Sequence, residues 1–273
     1  MSQKKPTHTP KDSHYARLRR QHRDSTAEAA PPVDDGLVRL YGLHTVRAAI
    51  ANPRRRIRRL LGTRNALARL EISDAGALPF PLEMVEPREI DRLTGPDAVH
   101  QGVLAEAEPL RPKPLSALGD APLVLVLDQV TDPHNVGAIM RSAVAFGAGA
   151  LVTTARHSPS ESGVLAKSAS GALEHIDHLE VRNLAEALQE LQEAGYQTVG
   201  LDSEGPDILE HSFSGDKIAL VLGAEGKGLR QKTRETVDRL ARLDLDGAIR
   251  SLNVSNAAAV AMYAARRHLG GAG

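Results

Sequence analysis

The run Leu123-Val124-Leu125-Val126-Leu127 leads into Asp128-Gln129-Val130-Thr131-Asp132-Pro133-His134-Asn135-Val136-Gly137-Ala138-Ile139-Met140-Arg141. That stretch decides the fold class. Five consecutive apolar residues fit a parallel strand buried on both faces. Asp132-Pro133 then opens a helix, because an acid caps the free amides and proline suits the first helical position. A strand, a short loop and a helix form the unit of a doubly wound α/β sheet. The alternation continues towards the C-terminus. Its spacing predicts a strand at 150–154, a helix at about 162–174 and an amphipathic helix over 183–194 closed by Gly195. Strands follow at Thr198–Leu201 and Ile218–Leu222, then helices at 231–242 and at about 254–268.

Towards the N-terminus, Pro109-Leu110-Arg111-Pro112-Lys113-Pro114 reads as a stiff, extended linker. A smaller α/β unit precedes it. Its helical stretches are Gly42–Ile50 (stopped by Asn52-Pro53), 64–70 and Pro87–Leu93. Its extended stretches are Ile57–Leu61, Leu82–Val85 and Gly102–Ala107. Residues 1–36 are polar and almost free of apolar periodicity, so they read as a disordered tail. Such a tail is either a solubilising extension or a basic arm for phosphates. The organisation is therefore a tail at 1–36, a small domain at 37–108, a linker at 109–118 and a larger domain at 119–273.

Charge sharpens this division. The 34 Lys+Arg balance 34 Asp+Glu, so the formal net charge is zero. Residues 1–70 nevertheless hold sixteen Lys/Arg and five acids, a sum of +11, which leaves −11 for the remainder. Such asymmetry points to one end of the chain meeting a polyanion. Arg54, Arg55, Arg56, Arg58 and Arg59 put five arginines into six positions and are the candidate phosphate contacts. The 273 residues include no cysteine, which excludes disulfides, zinc thiolates and a cysteine nucleophile and fits a reducing, cytoplasmic setting. The longest useful apolar run, Ala121–Leu127, is far short of the ~20 residues a membrane helix needs. The polar N-terminus carries no secretory signal. Nothing in the pattern calls for a metal. With aromatics at 3%, RNA contacts must lean on arginine, phosphate and backbone rather than on stacking.

Three strand-end loops are candidates for chemistry, because ligands of open α/β sheets bind there. The first contains Asn135 and, about two helical turns on, Arg141. The second is Leu222-Gly223-Ala224-Glu225-Gly226-Lys227-Gly228-Leu229, with three glycines in six positions. It matches neither the phosphate-loop nor the dinucleotide fingerprint. Its glycines permit close backbone approach to a ligand, and Glu225 is either a surface residue or a carboxylate able to pair with Arg141. The third runs from Leu243-Asp244-Leu245 to Ser251-Leu252-Asn253-Val254-Ser255, ahead of an alanine-rich helix. Each loop alone also has a plain structural reading as turn or helix cap.

Together the three resemble the sequence motifs of the SpoU family of ribose 2′-O-methyltransferases, in the SPOUT superfamily. Asn-Val-Gly-Ala-Ile-x-Arg, Leu-Gly-Ala-Glu-Gly-x-Gly-Leu and Ser-Leu-Asn-Val-Ser carry the likeness, over about residues 120–268. Tyr41-Gly42-Leu43-His44-Thr45-Val46 and His100-Gln101-Gly102-Val103 resemble the opening and closing of the family's substrate-binding domain, which is like a kink-turn-binding ribosomal protein.

The resemblance implies an α/β fold with a deep C-terminal trefoil knot, a homodimer with a partly shared site, and S-adenosylmethionine as cofactor. It implies that Gly223, Leu243 and Leu252 contact that cofactor, mainly through backbone atoms. Arg141, Asn135, Glu225, Ser251 and Asn253 form the implied catalytic set. Guanidinium groups stay charged in proteins, so the arginine is read as a clamp on phosphate and developing alkoxide, with Glu225 orienting it. No acid is apparent for a cofactor ribose. The implied activity is methylation of a guanosine 2′-hydroxyl in 23S rRNA. Methylation of tRNA, and a catalytically inactive RNA-binding member, are the alternatives. One departure stands out: Leu243-Asp244-Leu245 replaces the usual Ile-Pro-Met, with Asp244 read as a surface substitution.

Overall fold

The first sheet opens on the alternating Val38-Arg39-Leu40-Tyr41 and is built around the wholly buried Val103–Ala107. In the computed structural model, residues 36–95, 97–248 and 251–270 are described. The tail reading of 1–36 thus lies, apart from Gly36, outside the described residues, as do Ile249 and Arg250 of the third loop. The first elements are β1 (Val38–Tyr41), α1 (Leu43–Ala51), β2 (Ile57–Gly62), α2 (Arg64–Arg69), β3 (Leu82–Met84), α3 (Pro87–Thr94) and β4 (Val103–Ala107). The sheet order is β1-β4-β2-β3, with β4 antiparallel to both neighbours and β2 parallel to β3. Val103 and Ala105 of β4 face one core with Leu40, Leu60 and Val46. Leu104 faces the other with Leu61 and Ile90. This is the two-sided alternation a covered strand requires. Thr63 caps α2 by accepting from Ala66 N–H, and Glu86 and Glu89 form a capping box on α3.

The second sheet follows the linker. Its chain order is β5 (Leu123–Asp128), α4 (Pro133–Ala145), β6 (Ala150–Thr154), α5 (Gly163–Ala169), β7 (Asp177–Val181) and α6 (Leu184–Glu193). Then come β8 (Gln197–Leu201), β9 (Asp207–Ile208), β10 (Ile218–Gly223), α7 (Gln231–Thr236), β11 (Arg239–Arg242) and α8 (Val254–Gly270). The strand order is β7-β6-β5-β10-β8-β11-β9, parallel in every pairing. Every residue of β5 is buried, as its unbroken apolar run requires.

Some sequence expectations are corrected here. The helix expected over 231–242 ends at Thr236, and Arg239–Arg242 is instead β11. Arginine, leucine and alanine favour helices, but a vacant position beside β8 overrides that preference and buries Ala241. The helix expected over 162–174 breaks at Ser170 (φ 51°) and Gly171 (φ 95°). A Cβ on Gly171 would stand 2.9 Å from Ala48 Cβ, so the break also lets α1 approach closely. The strands β1, β7 and β9 have no counterpart in the sequence reading.

The arginine cluster is the largest correction. Arg55 does not face solvent. Its side chain is fully buried, between Glu161 (Nη1 to Oε1, 2.7 Å) and Glu174 (Nη2 to Oε1, 2.5 Å). Asn52 donates to the other Glu174 oxygen at 2.6 Å, and Leu110 N–H of the linker donates to Glu161 at 2.7 Å. Burial pushes the Glu161 carboxyl up, against the pull of Arg55. Arg54 pairs with Asp177, Arg58 with Glu108, and Arg59 with Glu106 and Glu83. Of the five, only Arg56 is exposed without a carboxylate partner among the described residues. Arg55 and Glu174 thus bind the two sheets to each other inside one compact unit, Gly36–Gly273.

Candidate active site

Parallel register places the C-terminal ends of β5 and β10 side by side, with Gly223 opposite Asp128. The loops after β5 and β10 therefore leave the same sheet edge. Asp132 caps α4 by accepting from His134 N–H at 2.9 Å. Asp128 is fully buried and pins the far end of the glycine loop. It accepts from Arg230 N–H at 3.0 Å and from Arg230 Nε at 2.6 Å.

Gly223 has to be glycine for a local reason. A Cβ there would lie 2.2 Å from the Gly228 carbonyl carbon and 2.4 Å from Leu229 N, both main-chain atoms that cannot swing away. Gly223→Ala is expected to cost about 1–3 kcal/mol of stability, as overpacking does. The same variant should lose affinity for whatever the loop binds. Denaturant unfolding with equilibrium ligand binding tests both, and unchanged values would refute the close approach.

The three loops converge on one carboxylate oxygen. Glu225 Oε1 accepts from Asn135 Nδ2 at 3.2 Å, from Val254 N–H at 3.3 Å, and from Asn253 Nδ2. Asn253 Nδ2 also donates to Asn135 Oδ1 at 3.1 Å. Asn253 Oδ1 in turn accepts from Ser255 N–H at 2.9 Å and Ser255 Oγ at 2.6 Å, capping α8. A carboxylate at a helix N-terminus also meets the favourable end of the helix dipole.

A cleft of about 810 Å³ opens beside this cluster. Gly223, Leu243 and Leu252 line it, as do Ser251, Asn253 and Glu225. Leu243 and Leu245 line the cleft while Asp244 is exposed, which accounts for an acid at that position. Two expectations change. Within this chain no bond joins Glu225 to Arg141 among the described residues; Glu225 Oε1 serves the two asparagines and Val254 instead. Arg141 stands apart on α4, exposed and without a side-chain partner among the described residues. The cleft also contains acids that sequence reasoning missed. Asp202 (paired with Arg234) and the exposed Glu204 follow β8. Their signal was available, since they directly follow a recognised strand, but no motif marked them.

A parallel α/β sheet with an asparagine–glutamate–asparagine cluster at its strand ends defines the class, and the chain belongs to the SpoU rRNA Methylase family. That family's model matches residues 122–263, and the model described as RNA 2′-O ribose methyltransferase substrate binding matches residues 39–113. The chain is similar to 23S rRNA (guanosine-2′-O-)-methyltransferase RlmB of Pseudomonas putida, with 37% identity over 242 residues, covering 85% of this chain and 96% of that protein. The protein of the same name from Ralstonia nicotianae is 39% identical over 236 residues, covering 84% and 94%. Among solved structures, the SpoU methyltransferase AviRb from Streptomyces viridochromogenes superposes with a TM-score of 0.72 at 23% identity, covering 87% of this chain and 91% of that one. Its complex with AdoMet gives 0.71 at 21% identity, covering 94% of both chains. Among the described residues, no helix is long and apolar enough to cross a membrane, and no group of three or more His, Asp or Glu is placed to hold a metal ion.

Proposed function

We propose that this chain methylates the 2′-hydroxyl of a guanosine in 23S rRNA, with S-adenosylmethionine as methyl donor. The meeting of Asn135, Glu225 and Asn253 beside a cleft lined by Gly223, Leu243 and Leu252 carries this reading. The near full-length likeness to the RlmB proteins supports the substrate. The cleft suits the cofactor chemically: leucine side chains offer an apolar wall for a base, and Glu204 offers an acceptor for hydroxyl or ammonium donors. The bound cofactor would supply an electrophilic methyl group on a sulfonium. The chain's residues then have to hold the ribose oxygen in line and favour the negative charge that develops on it. Arg141, which bonds to no side chain among the described residues of one protomer, holds the neighbouring phosphate and stabilises that oxygen in the site shared between protomers. Glu225 keeps Asn135 and Asn253 in one arrangement, and Ser251 completes the loop that closes over the nucleoside.

The finer features follow the same reading. Residues 37–108 are the RNA-binding domain, of the kink-turn-binding type, joined by the linker at 109–118 to the methyltransferase domain at 119–273. The C-terminal chain is threaded as the family's trefoil knot. In support, β11 pairs beyond β8, yet α8 returns to pack on α4 and β10. The chain acts as a homodimer through α4 and α8, where Val260 and Tyr263 are 43% and 57% exposed and Tyr263 meets Phe146 edge-on at 6.3 Å. Acting on rRNA, it works in the cytoplasm. Arg56, Arg54, Arg58 and Arg59 supply the basic footprint, without Arg55.

Incubation with labelled S-adenosylmethionine and either rRNA or tRNA, followed by mapping of the modified ribose, tests the function. The expected product is one 2′-O-methylguanosine in 23S rRNA. Label in tRNA alone, or in neither RNA, overturns the reading.

A further inference from the structure

The cluster of Asn135, Glu225 and Asn253 does not by itself explain how an RNA strand reaches the cleft. A guiding role for the seam between the sheets rests on the rRNA methylation proposed for this chain. The helix α5 carries two consecutive polar residues at that seam. Lys167 Nζ lies 3.3 Å from Gln101 Oε1, and Ser168 Oγ is hydrogen-bonded to His134 Nδ1 at 3.2 Å. Gln101 belongs to the first sheet's half, where the same oxygen accepts from Leu43 N–H at 3.1 Å. His134 directly precedes Asn135 of the cleft cluster. A line of polar side chains therefore runs from the closing loop of the first sheet to the methyl-transfer site.

Lys167 differs from other cations at this seam. Arg54 and Lys113 share Asp177, and Arg55 meets Glu161 and Glu174. Lys167 meets only a neutral amide oxygen among the described residues. Its burial is partial, and desolvation pushes its ammonium group down from the usual lysine value. The ammonium packs against Gly42, where a Cβ would stand 2.3 Å from Nζ. A partly exposed ammonium with no carboxylate beside it among the described residues is open to donate charge-assisted hydrogen bonds to an incoming anion. Phosphates are the anions that an RNA strand brings to this path.

We propose that Lys167 holds a backbone phosphate of the RNA where the strand passes from the N-terminal sheet to the guanosine in the cleft, with Gln101 orienting the ammonium group. His134 and Ser168 continue the path as hydrogen-bonding groups.

The test is the salt dependence of binding to a 23S rRNA fragment by the full-length protein, for the parent, Lys167→Met, Lys167→Arg and Gln101→Ala. Each single-strand phosphate contact contributes about 0.7 to the slope of log affinity against log salt. Lys167→Met is expected to lower the slope by about that amount and to raise the KM for RNA several-fold. Lys167→Arg keeps the charge and should keep the slope, whereas Gln101→Ala should keep the slope but raise the KM for RNA, and an unchanged KM takes Gln101 out of the orienting role. An unchanged slope in Lys167→Met overturns the proposal. If that variant fails to fold, labelling of the parent by an amine-reactive reagent decides instead. RNA should protect Lys167, and equal labelling with and without RNA overturns the clamp. The two proposals fail separately. A parent that binds RNA with the lysine-dependent slope but transfers no methyl refutes the function alone. A parent that methylates rRNA with no such dependence refutes the clamp alone.

Discussion

Arg141→Ala is expected to bind S-adenosylmethionine as the parent does and to transfer methyl about 10²–10³-fold more slowly. Arg141 is exposed on α4 and bonds to no side chain among the described residues. Its removal should therefore change stability by no more than about 0.5 kcal/mol, as at other surface sites. Its guanidinium remains available to an anion. In the proposed reaction, negative charge grows on a ribose oxygen close to a phosphate, and a positioned cation there lowers the barrier by about 2.7–4 kcal/mol. Single-turnover methylation at saturating cofactor reads this effect, with equilibrium cofactor binding as the control. An unchanged single-turnover rate would take Arg141 out of the reaction. Glu225→Ala makes the contrast. It strips one shared acceptor from Asn135, Asn253 and Val254, so cofactor affinity and rate should fall together.

The second large effect is structural. Arg55→Ala should destabilise the protein by about 3–5 kcal/mol, the usual consequence of removing one partner from a buried ionic group. Glu174 and Glu161 have side chains only 2% and 8% exposed. Without Arg55, both keep their burial and lose their cation. Replacing all three by apolar or neutral residues of similar volume (Arg55→Met with Glu161→Gln and Glu174→Gln) should recover much of the loss, because the penalty lies in the uncompensated charges. Denaturant unfolding of the single and triple variants measures both. A loss below about 1 kcal/mol in Arg55→Ala would mean that water reaches the carboxylates once the arginine is gone. Because Arg55 lies in the first sheet's half and Glu174 in the second's, the variant should also loosen the hold between the two.

The arginine cluster shows where sequence reasoning reached its limit. Residues 37–70 hold nine arginines and no acid, and a phosphate footprint follows naturally from that count. The acids that neutralise most of the cluster stand 24 to 123 residues further along the chain. The +11 of residues 1–70 is thus partly neutralised inside the protein. Arg56 keeps its charge at the surface, while Arg55 serves the fold.

The site was more legible. Asn135, Glu225 and Asn253 were all singled out, because each sits where a local signal is strong: a capped helix start, a glycine-rich turn or the head of an alanine-rich helix. Within one chain Glu225 meets the two asparagines rather than Arg141, because helical spacing locates Arg141 on α4 and says nothing of what faces it. Glu204 and Asp202 were passed over because no local pattern distinguishes a cleft acid from a surface acid.

Local pattern alone carries the α/β class, the buried central strands and the three loops. All of these are written in periods, caps and turns that span fewer than twenty residues. Three-dimensional packing, by contrast, makes Arg239–Arg242 a strand, buries Arg55 and lets one oxygen of Glu225 gather two asparagines. Those outcomes depend on which segments become neighbours through sheet register and helix packing, and a pairing across a hundred residues leaves no local trace in either partner.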